Sequence, residues 1–150
     1  MIRIETVKGQ LRFVGPATVT AGDQLRIVNR TNPEQVGPLT FSLVTRGVVP
    51  RSAAARRNCA LPGHICSAIA GWHGYGASER VEINPVKAGP PGWSTPGDAK
   101  GRVGDSWFTD ERGESFSQVV SPLAPSVLYY FDAIHPWLHG RLTVLPAPAE

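Results

Sequence analysis

Alternating apolar and polar residues predict short strands over much of the first 44 positions. Residues 2–7 and 24–29 place an apolar side chain at nearly every second position, which is the period of a strand with one buried face. Residues 11–14 and 18–20 predict two shorter strands. Residues 39–44 continue the pattern, with Leu39, Phe41 and Leu43 on one face and Thr40, Ser42 and Val44 on the other. These strands would form the first half of a Greek-key sandwich.

The second half of the chain predicts three more strands, which cover residues 115–120, 127–131 and 141–145. Residues 46–106 lie between the two halves, and their prolines favour an irregular insertion. Within the insertion, residues 52–58 predict a short helix, because Ser52 is a good N-cap and two arginines fall in the last turn. Residues 146–150 are predicted to be a tail.

Composition supports an all-β fold. The 16 glycines and 14 prolines suit many short strands joined by turns. A chain of 150 residues is long enough to bury a core, and we predict one domain over 1–150. The predicted architecture is an all-β, Greek-key β-sandwich with a long insertion of loops and a short helix.

Charge and hydropathy exclude two kinds of partner. The net charge of +3 is mildly basic, and the basic residues are scattered apart from a cluster that we interpret as a solvated surface patch: Arg46, Arg51, Arg56 and Arg57. No run of Lys and Arg is interleaved with aromatic residues, so no nucleic-acid interface is predicted. No stretch approaches the roughly 18 apolar residues of a membrane span. We therefore expect neither nucleic acid nor a membrane span.

Residues 129–144 carry the most specific pattern in the chain, with the sequence YYFDAIHPWLHGRLTV. This segment resembles the last strand, ligand loop and closing strand of the cupredoxins, the small blue-copper β-sandwich proteins. In that family the pattern is aromatic-aromatic-Cys-x-x-His-Pro-x-Met-x-Gly, followed by an alternating strand. His135 and Gly140 match, but Asp132 stands at the position of the thiolate and Leu138 at that of the axial Met.

Two further segments carry the same resemblance. Residues 21–29 match the family's Gly-Asp-x-apolar-x-apolar-x-Asn strand, and residues 104–108 resemble a segment that precedes the later strands in bacterial cupredoxin-like proteins. The family's first histidine ligand would fall immediately before Thr40-Phe41, where this chain has Leu39. The resemblance thus implies a fold of cupredoxin type with three of the four copper ligands replaced, at Leu39, Asp132 and Leu138.

The replaced residues set the functional expectation. A blue-copper centre needs two imidazoles and a thiolate, with a weak axial thioether, and a carboxylate or a leucine supplies neither sulfur ligand. We therefore expect a cupredoxin-like binding or structural module that is not an enzyme and holds no cofactor. Cupredoxins are usually exported, so the resemblance implies an extracytoplasmic location, periplasmic or secreted, although no signal peptide is visible ahead of the first strand.

Two alternatives remain open at this point. The first is a non-blue copper or zinc site in which Asp132 and His135 are joined by an additional histidine, for which the candidates are His64, His73 and His139. The second is a copper-binding electron-transfer protein, which would need a thiolate that the ligand loop lacks. The simpler interpretation of Asp132 and His135 is a charge-assisted hydrogen bond between them, with Asp132 also accepting from the loop backbone.

The two cysteines, Cys59 and Cys66, favour a local disulfide, as expected for an even number of cysteines in an exported protein. A metal cluster of both cysteines with His64 is the alternative, but its spacing is wider than that of structural zinc sites and it lacks a fourth ligand.

Trp137 has two possible roles. In cupredoxins the equivalent rim is the apolar patch that meets partners, so the resemblance implies an unknown protein partner at this rim. Alternatively, Trp137 is an aromatic plug of the loop. Three aromatic residues of the insertion could cover the same end: Trp72, Tyr75 and Trp93.

Overall fold

The structure is a computed structural model that describes residues 1–74 and 87–148. Its nine strands are β1 Ile2–Val7, β2 Gln10–Val14, β3 Thr18–Thr20, β4 Gln24–Asn29, β5 Leu39–Val44, β6 Ser106–Thr109, β7 Ser115–Val119, β8 Val127–Phe131 and β9 His139–Leu145. Its helices are α1 Pro33–Val36, α2 Ala53–Asn58 and α3 Ile65–Trp72, together with a 3₁₀ turn at Arg46–Val48.

The strands form two sheets. The first has four strands in the order β2-β1-β4-β7, and the second has five in the order β3-β9-β8-β5-β6. The pairs β1–β4 and β3–β9 are parallel, while the other neighbours are antiparallel. The prediction of an all-β Greek-key sandwich of cupredoxin type is confirmed. That residues 1–150 make one domain stays a prediction.

A tight turn joins β1 to β2. Lys8 and Gly9 both have positive φ, at 51° and 77°, which is the backbone of a two-residue hairpin turn with the twist that antiparallel strands prefer. The turn sets the register in which Val7 pairs with Gln10. Strand β2 is the first strand in the order of its sheet, so its other side is an open edge.

The main core lies between the sheets and is rich in aromatic side chains. Phe41 packs against Tyr130 and Trp93, with ring centroids 4.7 and 5.2 Å apart. Trp93 is fully buried and donates its indole N–H to the Leu25 carbonyl at 3.0 Å, so its polar group is satisfied inside the core. Leu39 and Leu43 are buried beside these rings, on the face of β5 that the alternation predicted to be apolar.

The opposite face of β5 is buried as well, which the alternation did not predict. Val44 belongs to a second apolar cluster, together with Phe131 of β8 and Ile69 of α3. Thr40 and Ser42 are fully buried on the same face and are joined by a hydrogen bond of 3.0 Å between their hydroxyls. The described part of the insertion therefore covers this sheet and is more regular than the sequence predicted.

Two helices of the insertion are held together by a disulfide. Helix α2 begins after Ser52, whose hydroxyl accepts from the Ala55 amide at 3.0 Å, so the predicted short helix and its N-cap are confirmed. Helix α3 was not predicted. The disulfide Cys59–Cys66 joins the end of α2 to the first turn of α3, which confirms the predicted bond and removes both thiols from metal binding.

Candidate functional site

Asp132 is a fully buried carboxylate at the end of β8, and the protein itself occupies both of its oxygens. Oδ1 accepts from the backbone amides of Thr40 and Ile134, at 3.0 and 2.8 Å. Oδ2 lies 2.8 Å from Nδ1 of His135. Asp132 therefore ties the start of the loop to strand β5, which lies 92 residues earlier in the chain.

His135 uses both ring nitrogens in hydrogen bonds. Its Nδ1 meets Asp132 at 2.8 Å, and its Nε2 lies 2.9 Å from the backbone carbonyl oxygen of Val36, at the end of α1. Because a carbonyl can only accept, Nε2 must carry a proton. When Nδ1 carries a proton as well, it donates to the Asp132 carboxylate and the pair is an imidazolium–carboxylate ion pair.

The surroundings of His135 favour this charged form. Partial burial lowers the pKa of His135, but the hydrogen bond and negative charge of Asp132 and the bond to the Val36 carbonyl raise it, and the net result is a raised pKa. The histidine side chain is 12% exposed, and the Asp132 side chain is fully buried. Direct coordination of a metal by either ring nitrogen would require one of the two hydrogen bonds to break.

The rest of the loop is closed by its own backbone. The Asp132 amide donates to the Leu138 carbonyl at 3.0 Å, and the Leu138 amide donates to the His135 carbonyl at 2.9 Å. The Ala133 amide donates to the hydroxyl of Thr40 at 2.8 Å. These bonds hold residues 132–138 in one compact turn against β5.

Leu39 and Leu138 fill space in the core. Leu39 is fully buried and Leu138 is 5% exposed, and both belong to the main core cluster. The two positions that the resemblance assigned to a histidine and a methionine ligand are therefore occupied by packed hydrocarbon.

The structure does not bring the candidate histidines together with Asp132 and His135. His73 is buried after α3, with Nε2 2.8 Å from the Ser106 hydroxyl, which in turn lies 2.7 Å from that of Ser42. His64 is exposed at the start of α3, and His139 lies on β9 opposite Phe131. Within residues 1–74 and 87–148, no three His, Cys, Asp or Glu side chains form a group that could hold a metal ion.

Trp137 is the exposed aromatic residue of the loop. Its side chain is 53% exposed, and its ring packs edge-on against that of His135, with centroids 5.2 Å apart. Trp72 and Trp93 pack instead in the two apolar clusters, so they do not extend this exposed rim, and Tyr75 lies outside the described residues.

Trp137 and His135 line a surface groove with a volume of about 820 Å³, which we call the loop-end groove. The β1–β2 hairpin and helix α1 supply its other walls, through Thr6, Gly9, Gln10, Leu11, Arg12, Gln35 and Val36. The groove was not predicted from the sequence. The sequence does contain a signal for helix α1, which forms one of its walls: Asn32 is a good N-cap and Pro33 suits the first helical position. In the structure the Asn32 side chain accepts from the Glu34 amide at 3.0 Å.

Several solved structures have folds similar to this one. They include "blue" copper auracyanin A from the green thermophilic photosynthetic bacterium Chloroflexus aurantiacus, 18% identical, over 95% of this chain and 96% of that chain, with a TM-score of 0.46. The fold is cupredoxin-like. Reduced auracyanin from the photosynthetic bacterium Roseiflexus castenholzii is 14% identical, over 96% of this chain and 95% of that one, with a TM-score of 0.44.

A Cu(I) form of a mutant amicyanin is also similar, at 12% identity over 95% of this chain and 80% of that chain, with a TM-score of 0.43. The strand order described above carries the assignment of the fold, since these identities and scores are low. No protein-family model and no curated protein matches the chain. Among the described helices, none is long and apolar enough to cross a membrane.

Proposed function

We propose that this cupredoxin-like protein has lost the type 1 copper centre and acts as a binding module, not as an enzyme or an electron carrier. The observation that carries the proposal is the closed Asp132–His135 pair. Both carboxylate oxygens and both imidazole nitrogens are bonded within the protein, so the loop is complete without an ion.

The donor set supports the same proposal. A type 1 centre needs a thiolate, and the chain's two cysteines are joined in the Cys59–Cys66 disulfide. The hard carboxylate of Asp132 replaces the thiolate, and leucines occupy two further ligand positions. These residues do not fit a type 1 copper centre. For a non-blue copper or zinc site, the pair would lack a third protein ligand within the described residues.

The loop-end groove supports a binding role. Strand β2 is an edge strand, and its first residues line the groove beside the exposed ring of Trp137. An edge strand offers free backbone N–H and C=O groups to an added strand, and an aromatic side chain beside it can hold a partner's side chain. The proposed occupant is an extended segment of a protein partner.

The disulfide supports an extracytoplasmic location, periplasmic or secreted, because such bonds persist in oxidising compartments.

Metal binding provides the first test. The purified protein is incubated with Cu(II) or Zn(II), passed through a desalting column and analysed for metal content and visible absorption. We expect substoichiometric metal and no intense blue band. A stoichiometric colourless metal that is lost in Asp132→Ala, but kept when the exposed carboxylate of Asp110 is removed in Asp110→Ala, would support the non-blue metal site instead. An intense blue band would support the electron carrier.

Peptide selection provides the second test. A library of displayed peptides is panned against the protein, and affinities of the selected peptides are measured for two variants. Trp137→Ala should weaken binding at least about tenfold, as expected for an aromatic hot spot. Leu123→Ala should leave it unchanged, since Leu123 is 93% exposed and does not line the loop-end groove. Peptides that bind both variants equally would contradict a role for the groove.

A further inference from the structure

A second concave site lies on the insertion side of the five-stranded sheet, and we call it the arginine pocket. It has a volume of about 370 Å³ and is lined by Arg46, Val49, Arg51, Tyr129, His139, Gly140 and Arg141. Tyr129 and Arg141 are opposite each other in the β8–β9 ladder, so they lie on the same face of the sheet. Arg141 could not be grouped with the basic cluster at residues 46–57 from the sequence, because β9 lies far from that cluster in the chain.

Three arginines, all exposed, line the arginine pocket from three separate segments of the chain. Arg46 belongs to the 3₁₀ turn, Arg51 directly precedes the N-cap of α2, and Arg141 lies in β9. The turn is fixed to the insertion because the Thr45 amide donates to the Gly97 carbonyl at 3.0 Å. The backbone positions of the three arginines are thus set by the fold and not by a single flexible loop.

Among the described residues, no carboxylate lines the arginine pocket and no acidic side chain forms an ion pair with Arg46, Arg51 or Arg141. Partial burial and the charges of Arg51 and Arg56 lower the pKa of His139, so the positive field of the cluster reaches this site. Positive charge and N–H donors therefore exceed the acceptors that the protein supplies.

The chemistry of the lining residues selects the ligand. Guanidinium groups donate paired N–H groups that match the oxygens of a phosphate, and such charge-assisted bonds are stronger than neutral ones. A binding site for a drug-sized molecule typically measures about 300–1,000 Å³, so the volume suits a small ligand. Val49 and the ring of Tyr129 supply an apolar wall for the organic part of such a ligand.

We propose that the arginine pocket binds the phosphate group of a small soluble phosphomonoester, held by Arg46, Arg51 and Arg141. This proposal is independent of the proposed function, which rests on the Asp132–His135 pair and the loop-end groove. Either proposal can be refuted without affecting the other.

The test is calorimetric titration with inorganic phosphate and with glycerol phosphate, in sodium chloride at constant ionic strength. Binding should saturate at one site, and the backbone amides of His139 and Gly140 should shift in NMR spectra as it does. Arg51→Gln and Arg141→Gln should each weaken binding at least about tenfold, as expected from the loss of a charge-assisted hydrogen bond.

Arg57→Gln is the matched control, because it removes the same charge from an exposed residue of the neighbouring helix α2 that does not line the pocket. It should change the affinity less than about twofold. Equal weakening by Arg51→Gln and Arg57→Gln would overturn the proposal in favour of a diffuse surface field. Binding no stronger than that of chloride, or binding to vesicles of an anionic phospholipid but not to glycerol phosphate, would also overturn it.

Discussion

Removing the buried carboxylate of Asp132 should destabilise the protein strongly. In Asp132→Ala, the amides of Thr40 and Ile134 lose their acceptor, and the imidazolium of His135 loses its counter-ion. The Asp132 side chain is completely buried, so water cannot take the place of the carboxylate without a rearrangement. Removing one partner of a buried ion pair lowers the free energy of unfolding by about 3–5 kcal/mol. That is a large part of the roughly 5–15 kcal/mol by which a domain is stable.

Urea denaturation at pH 6, followed by circular dichroism, measures this effect as the free energy of unfolding. Asp110→Ala is the matched control, because Asp110 is exposed, and it should change that free energy by less than about 0.5 kcal/mol. A loss below about 1 kcal/mol in Asp132→Ala would refute the argument that the pair holds the loop.

The pH dependence of the free energy of unfolding tests the contribution of His135 to the same pair. Its folded pKa is raised above the unfolded value of 6.5, so the folded protein binds the proton more tightly. The resulting stabilisation is fully present below pH 6.5 and is lost as the pH rises through the folded pKa. The wild-type protein should therefore lose unfolding free energy above pH 6.5, relative to His135→Gln.

His139 has a lowered pKa, so its own contribution has the opposite sign and is lost as the pH falls through 6.5 towards the folded pKa. This contribution is common to the wild type and to His135→Gln, and the difference between the two proteins isolates His135. A difference that stays constant from pH 5 to pH 9 would refute the assignment of an imidazolium–carboxylate pair.

Two further predictions concern the insertion. Replacing both cysteines of the Cys59–Cys66 disulfide with serine should lower the free energy of unfolding by about 2–3 kcal/mol, the amount expected for a bond that closes so short a loop in the unfolded chain. Urea denaturation measures this change, and an unchanged midpoint would contradict the prediction. Gly104→Ala should cost about 1–3 kcal/mol, because an added Cβ would lie 2.6 Å from the Leu43 carbonyl oxygen, whereas at Gly47 a Cβ meets no atom within 4 Å. Thermal unfolding compares Gly104→Ala with Gly47→Ala, and equal melting temperatures would contradict the close approach.

The strands were predictable from the sequence because their alternation is local. The period of two in residues 2–7 and 24–29 follows directly from the geometry of a strand with one buried face. In residues 39–44 the alternation located the strand but not the burial of its second face. Helix α3 was not predicted. Its apolar residues pack on the outer side of the five-stranded sheet, and nothing in the sequence indicates that this side is covered. Strand β6 was missed for a related reason: it is a four-residue edge strand whose partner, β5, lies far away in the chain.

The candidate site was predictable in part. Asp132 and His135 are three residues apart, so a hydrogen bond between them could be anticipated. Their other partners could not, because Thr40 and Val36 lie 92 and 99 residues away and are brought to the loop by the sandwich itself. The arginine pocket depends in the same way on β9 reaching the insertion.

The most direct test of the proposal that the copper centre is lost is ¹⁵N NMR of the imidazole ring of His135, recorded before and after addition of Zn(II), a diamagnetic ion. The account predicts that both ring nitrogens carry protons at pH 6, with Nδ1 bonded to Asp132 and Nε2 to Val36, and that Zn(II) leaves both signals unchanged. Loss of one proton, with a shift of that nitrogen at one equivalent of Zn(II), would contradict it and show that the loop still binds a metal.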